Sequence, residues 1–458
     1  MKRNSDLNNL RVAALAAIGG LGFSAYAHAA EEASPRTMTF EQAVNVAVES
    51  APAAKVSAYG EAAANSRVKS AKAQRLPKLN VSANLLRWNE KIEVAIGAPP
   101  SPGAEQPKLL ARDQVTAATN VTLVQPITGL VALSRLVKVE ENAAGGARQE
   151  AAQARLDAAT RAAEAYLRLL QAKALAKVAE QSFAQVEAQL KTAQAFEQAG
   201  VLSHVDVLRL ESSRLNARQN VLKANTTVTI AQGALGLALN LPIGTAIDAV
   251  DDLPEKPALA VPNEAAAVNS ALETRPELAL AETRKVQAQG AKTIAKAAML
   301  PNLNALANYQ NLQGQGPFQP KNAWYVGLSL NWDVWDWGKN YHDVQAADFS
   351  AKQADVGATT LRDQIAFDVH RRVLEAKTAY ETLDVAQLSL AASEEANRIQ
   401  NVRFKEGAAT TTDVIDSESE VSRARNGYAQ ARYDYFLAEA TLARAVGKLP
   451  AVTVATDK

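Results

Sequence analysis

The chain repeats itself, and the repeat limits its fold more than any local motif does. AVNVAVESAP at Ala43–Pro52 returns as AVNSALETRP at Ala267–Pro276, and AKAQRLPKLNVSAN at Ala71–Asn84 returns as AKAAMLPNLNALAN at Ala295–Asn308, both 224 positions later. Farther on the offset shrinks: Gly129 matches Gly338 at 209, and Gly200 and Asp206 match Gly407 and Asp413 at 207. Most of the lost register falls between Asn84 and Gly129, where the first copy carries IGAPPSPGAEQPK and the second a shorter NLQGQGPFQPK. Such length changes are tolerated at exposed loop tips. The chain therefore reads as two structural repeats, about 38–242 and 262–450, joined by a Pro-rich linker at 241–262.

Each copy predicts the same order of elements. A helix comes first, opened in copy one by Thr39 with Gln42 three positions later, the spacing of a capping box. It ends before a Leu-Pro pair. A strand, a variable loop, a second strand and a very long helical region follow. No proline occurs from Ile127 to Leu241 or from Lys321 to Leu449. Gly129 to Gln198 as one helix would be about 100 Å long, with Gly145–Gly146 as its weak point. In copy two, Leu361, Ile365, Val369, Val373, Ala376, Tyr380 and Leu383 form a stripe spaced by threes and fours. Helices of this kind need helical neighbours along their length. Taken alone they predict a coiled-coil bundle, and a periplasmic coiled-coil scaffold without a pore is the alternative function.

The strands point elsewhere. In WYVGLSLNW, Trp324, Val326, Leu328, Leu330 and Trp332 alternate with Tyr325, Gly327, Ser329 and Asn331. Val115, Ala117, Thr119, Val121 and Leu123 hold the same parity 209 positions earlier. Strands are expected at about 79–90, 113–125, 302–311 and 323–334, each near the length of a transmembrane β-segment with one apolar and one polar face. All five tryptophans (Trp88, Trp324, Trp332, Trp335 and Trp337) lie in or beside these strands, the placement of an aromatic girdle in contact with membrane lipid at a bilayer interface. Four strands cannot close a barrel, and open edges are not tolerated in lipid, so further copies of the chain must complete it.

The N-terminus predicts export. Lys2, Arg3 and Arg11 precede an apolar run from Val12 to Phe23, and Ala27 and Ala29 stand at cleavage spacing, giving a signal peptide at 1–29 and a mature protomer at 30–458. The run is too short to span a bilayer, which needs roughly 20 apolar residues. The absence of cysteine excludes a disulfide framework, thiolate metal sites and an N-terminal lipid-bearing Cys. Basic and acidic residues, 49 and 48, nearly cancel, so no nucleic-acid-binding balance is present. No nucleotide loop, zinc spacing or nucleophile elbow occurs, and His204, His342 and His370 are scattered. An enzyme is not expected, and neither is a cofactor or a metal.

The duplicated helix–strand–strand–helix plan, the Leu-Pro before each first strand and the paired Gly…Asp helix breaks resemble the TolC-type outer-membrane efflux family (outer membrane factors). That resemblance implies a homotrimer closing a twelve-stranded membrane β-barrel that continues into a long periplasmic α-helical barrel. It implies an exit duct in the outer membrane of a Gram-negative bacterium, with a periplasmic adaptor protein and an inner-membrane pump (RND, ABC or other) docked at the tapered end. Small-molecule efflux and type I protein secretion both fit.

Within this resemblance the two helix breaks, FEQAGVLSHVDVLR and FKEGAATTTDVIDSE, are the hairpin tips. Asp413 and Asp416 match paired carboxylates that ring the constriction, and Asp206 matches an Asp near the gate. Gly200, Val201 and Leu202, with Gly407, Ala408 and Ala409, are the expected adaptor contacts. Thr410-x-x-Asp413 and Ser203-x-x-Asp206 also read as helix caps, in which an acid at the third helical position favours the helix dipole. Where the best-studied members hold the closed gate with a Tyr and an Arg, this chain carries Phe404 and Ala409, so another group, Arg209 among the candidates, has to hold it.

Overall fold

A computed structural model describes residues 36–451 except 98–100, 102, 104, 243, 256, 258–261 and 318. The expected signal peptide and its cleavage position at Ala29 lie outside the described residues, as do parts of the variable loop and the linker. The chain is mostly helical, with a small β-domain at one end.

Each repeat opens with two helices rather than the one expected from the sequence. The first pair is α1 (Phe40–Ser50) and α2 (Pro52–Ala73). Proline supplies the first residue of α2 and forces its predecessor, Ala51, to an extended ψ of 123°, which breaks the helix at the junction. Thr39 caps α1 in a complete capping box with Gln42.

Next come β2 (Lys78–Arg87), β3 (Ile92–Ala95) and β4 (Lys108–Pro126), followed by two helices, α3 (Gly129–Gln198) and α4 (His204–Ala238). Short β1 (Arg36–Met38) pairs in parallel with β5 (Ile247–Ala249) beside the middle of the helices. Copy two repeats the plan with α5 (Glu264–Thr274), α6 (Pro276–Ala297), β6 (Asn302–Gln315), β7 (Asn322–Asn331), α7 (Lys339–Lys405) and α8 (Thr411–Ala445). Pro276 splits α5 from α6 as Pro52 splits α1 from α2.

The sheet runs β2–β4–β6–β7, all antiparallel, with β3 pairing the distal part of β4 as an extension of the β2 edge. Its register sorts the side chains into two faces. Leu79, Leu123, Ala307 and Val326 stand in one row across the four strands, and Asn80, Thr122, Asn308 and Tyr325 in the next. Residues directly opposite share a face, so one face is apolar and the other carries amides and hydroxyls. Asn308 donates to Thr122 Oγ1 at 2.7 Å on the polar face. Leu79, Val81, Val326, Leu328 and Leu330 on the apolar face are more than 60% exposed in one chain.

Helix α3, about 100 Å long for its 70 residues, leads from the sheet to the far end of the molecule. It runs through Gly145–Gly146 without a break. Gly146 is buried, and a Cβ there would meet Thr283 of α6 at 3.0 Å, so this glycine permits close helix packing rather than marking a weakness. The long helices form a layer in the order α4–α3–α8–α7, with α4 and α7 at its free edges. The main core lies midway along it, where Phe40, Tyr166, Leu170, Leu239, Ile247, Tyr433 and Phe436 pack together. Beside it Arg444 binds Asp157 at 2.7 Å and Glu277 at 3.1 Å, and Arg275 binds Asp368 at 3.3 Å, tying both repeats into one body.

Candidate functional site

The two hairpin turns, α3 to α4 and α7 to α8, lie side by side at the end of the helix layer opposite the sheet. Both close by the same backbone device. Gly200 and Gly407 adopt φ of +73° and +72°, the left-handed conformation that ends a helix without a Cβ penalty. Val201 N–H donates to Phe196 O at 2.9 Å, and Ala408 N–H donates to Arg403 O at 2.7 Å. The next helix restarts at a hydroxyl cap, Ser203 in the first turn and Thr410 in the second.

The three tip carboxylates are not equivalent. Asp413 closes a complete capping box: its Oδ2 accepts from Thr410 N–H at 2.8 Å and from Thr410 Oγ at 2.7 Å, and its own N–H donates to Thr410 Oγ1. These hydrogen bonds to Thr410, backbone first, hold its carboxyl below the usual carboxylate range, with the field of Arg403 adding to them. Asp206 is engaged similarly, accepting from Ser203 Oγ at 2.6 Å and from Arg209 Nη1 at 3.4 Å. Asp416, one turn beyond the cap, is exposed and has no hydrogen-bond or ion-pair partner among the described residues. The expected pair on α8 thus divides into one carboxylate committed to helix capping and one free.

The residues expected at the gate divide too. Arg209 is tied to Asp206 within its own helix. Phe404 is only 4% exposed and packs against Phe196 of the other hairpin. Leu190, Ala193, Val207 and Leu210 form a small core beneath the tips, against which Leu202 and Ile415 pack. Gly200, Val201, Gly407 and Ala408 are exposed at the turns, with Leu202 and Ala409 partly covered. Among the described residues nothing lies within 4 Å of a Cβ built on either glycine.

The tryptophans gather at the sheet. Trp324, Trp332, Trp335 and Trp337 are all more than half exposed, and Trp335 and Trp337 meet edge to face at 5.8 Å. Trp88 differs: its indole N–H donates to Thr116 at 3.0 Å, and Arg112 stacks over its ring at 3.8 Å.

Glu418 escaped the sequence reading. It is 3% exposed, between α3, α7 and α8, and accepts from Asn397 Nδ2 at 3.1 Å. It sits in an acidic run, Asp416 to Glu420, that looks like a solvated face. The missed signal was its spacing from Thr411, Val414 and Val421, which together with it form a buried stripe at threes and fours. Among the described residues no cluster of three or more His, Cys, Asp or Glu side chains could hold a metal, and no helix is long and apolar enough to cross a membrane.

The family described as "Outer membrane efflux protein" matches residues 43–241 and 267–448. The outer membrane efflux protein BepC of Brucella suis is 25% identical over 312 residues, covering 63% of this chain and 63% of BepC. Among solved structures, the outer-membrane channel OprN superposes with a TM-score of 0.76 at 17% identity over 89% of both chains. The outer membrane protein VceC of Vibrio cholerae gives 0.73 at 15% identity over 89% of this chain and 96% of its own. These likenesses establish the fold, a helical barrel wall with a β-domain.

Proposed function

The chain belongs to the outer membrane efflux protein family, and from that premise we propose that three copies form one continuous exit duct across the outer membrane and periplasm. The observation that carries the proposal is the open four-strand sheet. Among the described residues its β2 and β7 edges are unpaired, and its apolar face is exposed. In lipid such edges must pair, and three copies would supply twelve strands around an aqueous lumen lined by the Asn and Thr face. A periplasmic scaffold would leave that apolar face in water.

The helix layer supports the same closure. At its α4 edge, Leu208, Leu215 and Leu222 are exposed at intervals of seven. At its α7 edge, Phe367, Leu374, Leu388 and Val402 are exposed at intervals of seven or fourteen. Such stripes fit a coiled-coil seam between neighbouring helices, here α4 of one protomer against α7 of the next. A heterologous contact of this kind forms a ring when its rotation closes, as a one-third turn per protomer would. The tips would then form the periplasmic entrance, where an adaptor contacts Gly200–Leu202 and Gly407–Ala409 and an inner-membrane pump delivers the substrate. Asp416, supported by Asp413, would line the constriction.

Light scattering of the protein in detergent, corrected for bound detergent, should give three chains. Leu215→Glu with Leu222→Glu should yield monomers that retain helix content. A monodisperse wild-type monomer would refute the duct.

A further inference from the structure

Above the tips lies a polar pocket of about 400 Å³, bounded by α3, α4 and α8 and lined in part by Ser182, Gln189, Asn216, Asn220, Glu418 and Asn426. Glu418 is a buried carboxylate without an ion-pair partner among the described residues. Arg425, whose field favours its charge, is committed to Glu394 through Nε and Nη2 at 2.9 and 2.8 Å. Arg423, at the pocket rim, is paired with Glu420. A buried charge without a counter-ion is expensive, and it calls for a cation or a proton.

The neighbouring amides make the requirement directional. Glu418 Oε2 accepts from Asn397 Nδ2 at 3.1 Å, so Asn397 turns its Oδ1 away to accept from Asn401 Nδ2 at 2.9 Å. Asn401 Oδ1 in turn accepts from Gln189 Nε2 at 3.2 Å. The carboxylate can only accept, so it fixes the orientation of each amide in the chain. The last free atom is Gln189 Oε1, which is buried and has no partner among the described residues. Both ends of the chain, Glu418 and Gln189, belong to residues lining the pocket and end in buried acceptor oxygens, and Glu418 Oε1 accepts besides only from Ser182 Oγ at 3.4 Å among the described residues. We propose that this pocket binds a primary ammonium group on a small hydrophilic solute, held by Glu418 and Gln189, with the surrounding Asn and Ser side chains receiving the rest of the solute.

A divalent metal fits poorly, because Ca²⁺ and Mg²⁺ sites draw on several hard oxygen ligands and here a single carboxylate stands among neutral amides. In the duct proposed above, the pocket would stand close to the tip entrance. Asp206, Arg209, Ser213, Asn216 and Asn220 recur at threes and fours along α4, so the pocket opens on the face that carries Asp206. The site is contained in one protomer and does not depend on how protomers assemble.

Calorimetric titration of the full chain in detergent tests this with putrescine (a chain diamine), glucosamine (an amino sugar) and Mg²⁺ as separate probes. Saturable binding of putrescine or glucosamine is expected, with equimolar Mg²⁺ competing no better than Na⁺ at matched ionic strength. Glu418→Gln should weaken that binding at least tenfold and Gln189→Leu about fivefold, whereas Glu49→Gln, at an exposed carboxylate of α1, should leave it unchanged. Gln189→Leu retains the carboxylate and provides the decisive measurement if Glu418→Gln does not fold. Failure of wild type to bind either amine, unchanged affinity in Gln189→Leu or Glu418→Gln, or loss of binding in Glu49→Gln would each overturn the proposal.

Discussion

Phe196 and Phe404 meet between the two hairpins, with ring centroids 5.9 Å apart and planes inclined at 53°. Each ring sits in the last turn of its long helix, just before the glycine that ends it. Each tip thus carries an aromatic in the last turn before it, four residues ahead of Gly200 and three ahead of Gly407, and the two rings hold the hairpins to each other. A Phe at 404 cannot donate a hydrogen bond, so its contribution is packing. Phe404→Ala should cost about 3 kcal/mol, the lower end for an aromatic deletion, because Phe196 is itself partly exposed. The loss should loosen the tips more than the molecule. Resting conductance in planar bilayers should rise while Phe404→Leu stays near wild type, and equal conductance in all three proteins would exclude this contact as a tie between the tips.

At Gly407 a substitution can act through the backbone or through a partner, and two variants separate these effects. Its φ of +72° disfavours most side chains by about 1–2 kcal/mol, but Asn enters this region readily. There is open space around the position within the chain. Gly407→Val should lower the melting temperature and export together. Gly407→Asn should melt close to wild type yet still lose export if an adaptor packs against the turn. Wild-type export by the Asn variant would remove Gly407 from the docking surface.

Glu418 gives stability an unusual pH slope. Burial pushes its carboxyl above the ordinary Glu range, only partly offset by Asn397, Arg425 and Ser182. An acid raised in the folded state binds its proton more tightly folded than unfolded, so its contribution improves as pH falls through the folded value and levels off below the unfolded one. Asp413 acts in the opposite direction, since its depressed value stabilises the fold at neutral pH and that stabilisation is lost in strong acid. Comparing Glu418→Gln with wild type isolates the first effect. In chemical denaturation the variant should be the more stable at pH 8, with the gap narrowing towards pH 5. A gap independent of pH would mean that folding leaves the protonation of Glu418 unchanged over this range, so that its carboxyl is not raised.

Much of this architecture could be read from residues alone because the relevant signals are periodic. The alternation from Trp324 to Leu330 marks β7 because one face of that strand is apolar and the other polar. The splits at Pro52 and Pro276 were missed, although proline at a helix start restricts the residue before it and so carried the signal. β1 and β5 carry no such signal: three residues are too few for a period, and Arg36 pairs with Ile247, 211 positions away. β3 is hidden for a similar reason, as four residues bordered by Gly and Pro. At the tips, spacing placed Asp413 and Asp416 together, but the capping geometry that separates them depends on which oxygen Thr410 engages.

That separation yields the sharpest expectation for the pore. In a trimer, Asp413 and Asp416 would form two rings of three carboxylates, one helical turn or about 5 Å apart. Rings of this kind attract cations and repel anions. The Asp413 oxygen that accepts from Thr410 N–H and Oγ has part of its charge already balanced, whereas Asp416 carries its charge unopposed. Asp416→Asn should therefore abolish most of the cation preference and the block by trivalent cations in planar bilayers, with little change in melting temperature. Asp413→Asn should reduce selectivity less and lower stability more, because an amide caps a helix start without the favourable charge. Asp206→Asn, whose carboxylate is shared between Ser203 and Arg209, should change selectivity least. Equal effects of the two α8 substitutions would show that capping does not withdraw Asp413 from the pore, and an unchanged Asp416→Asn channel would place the constriction elsewhere.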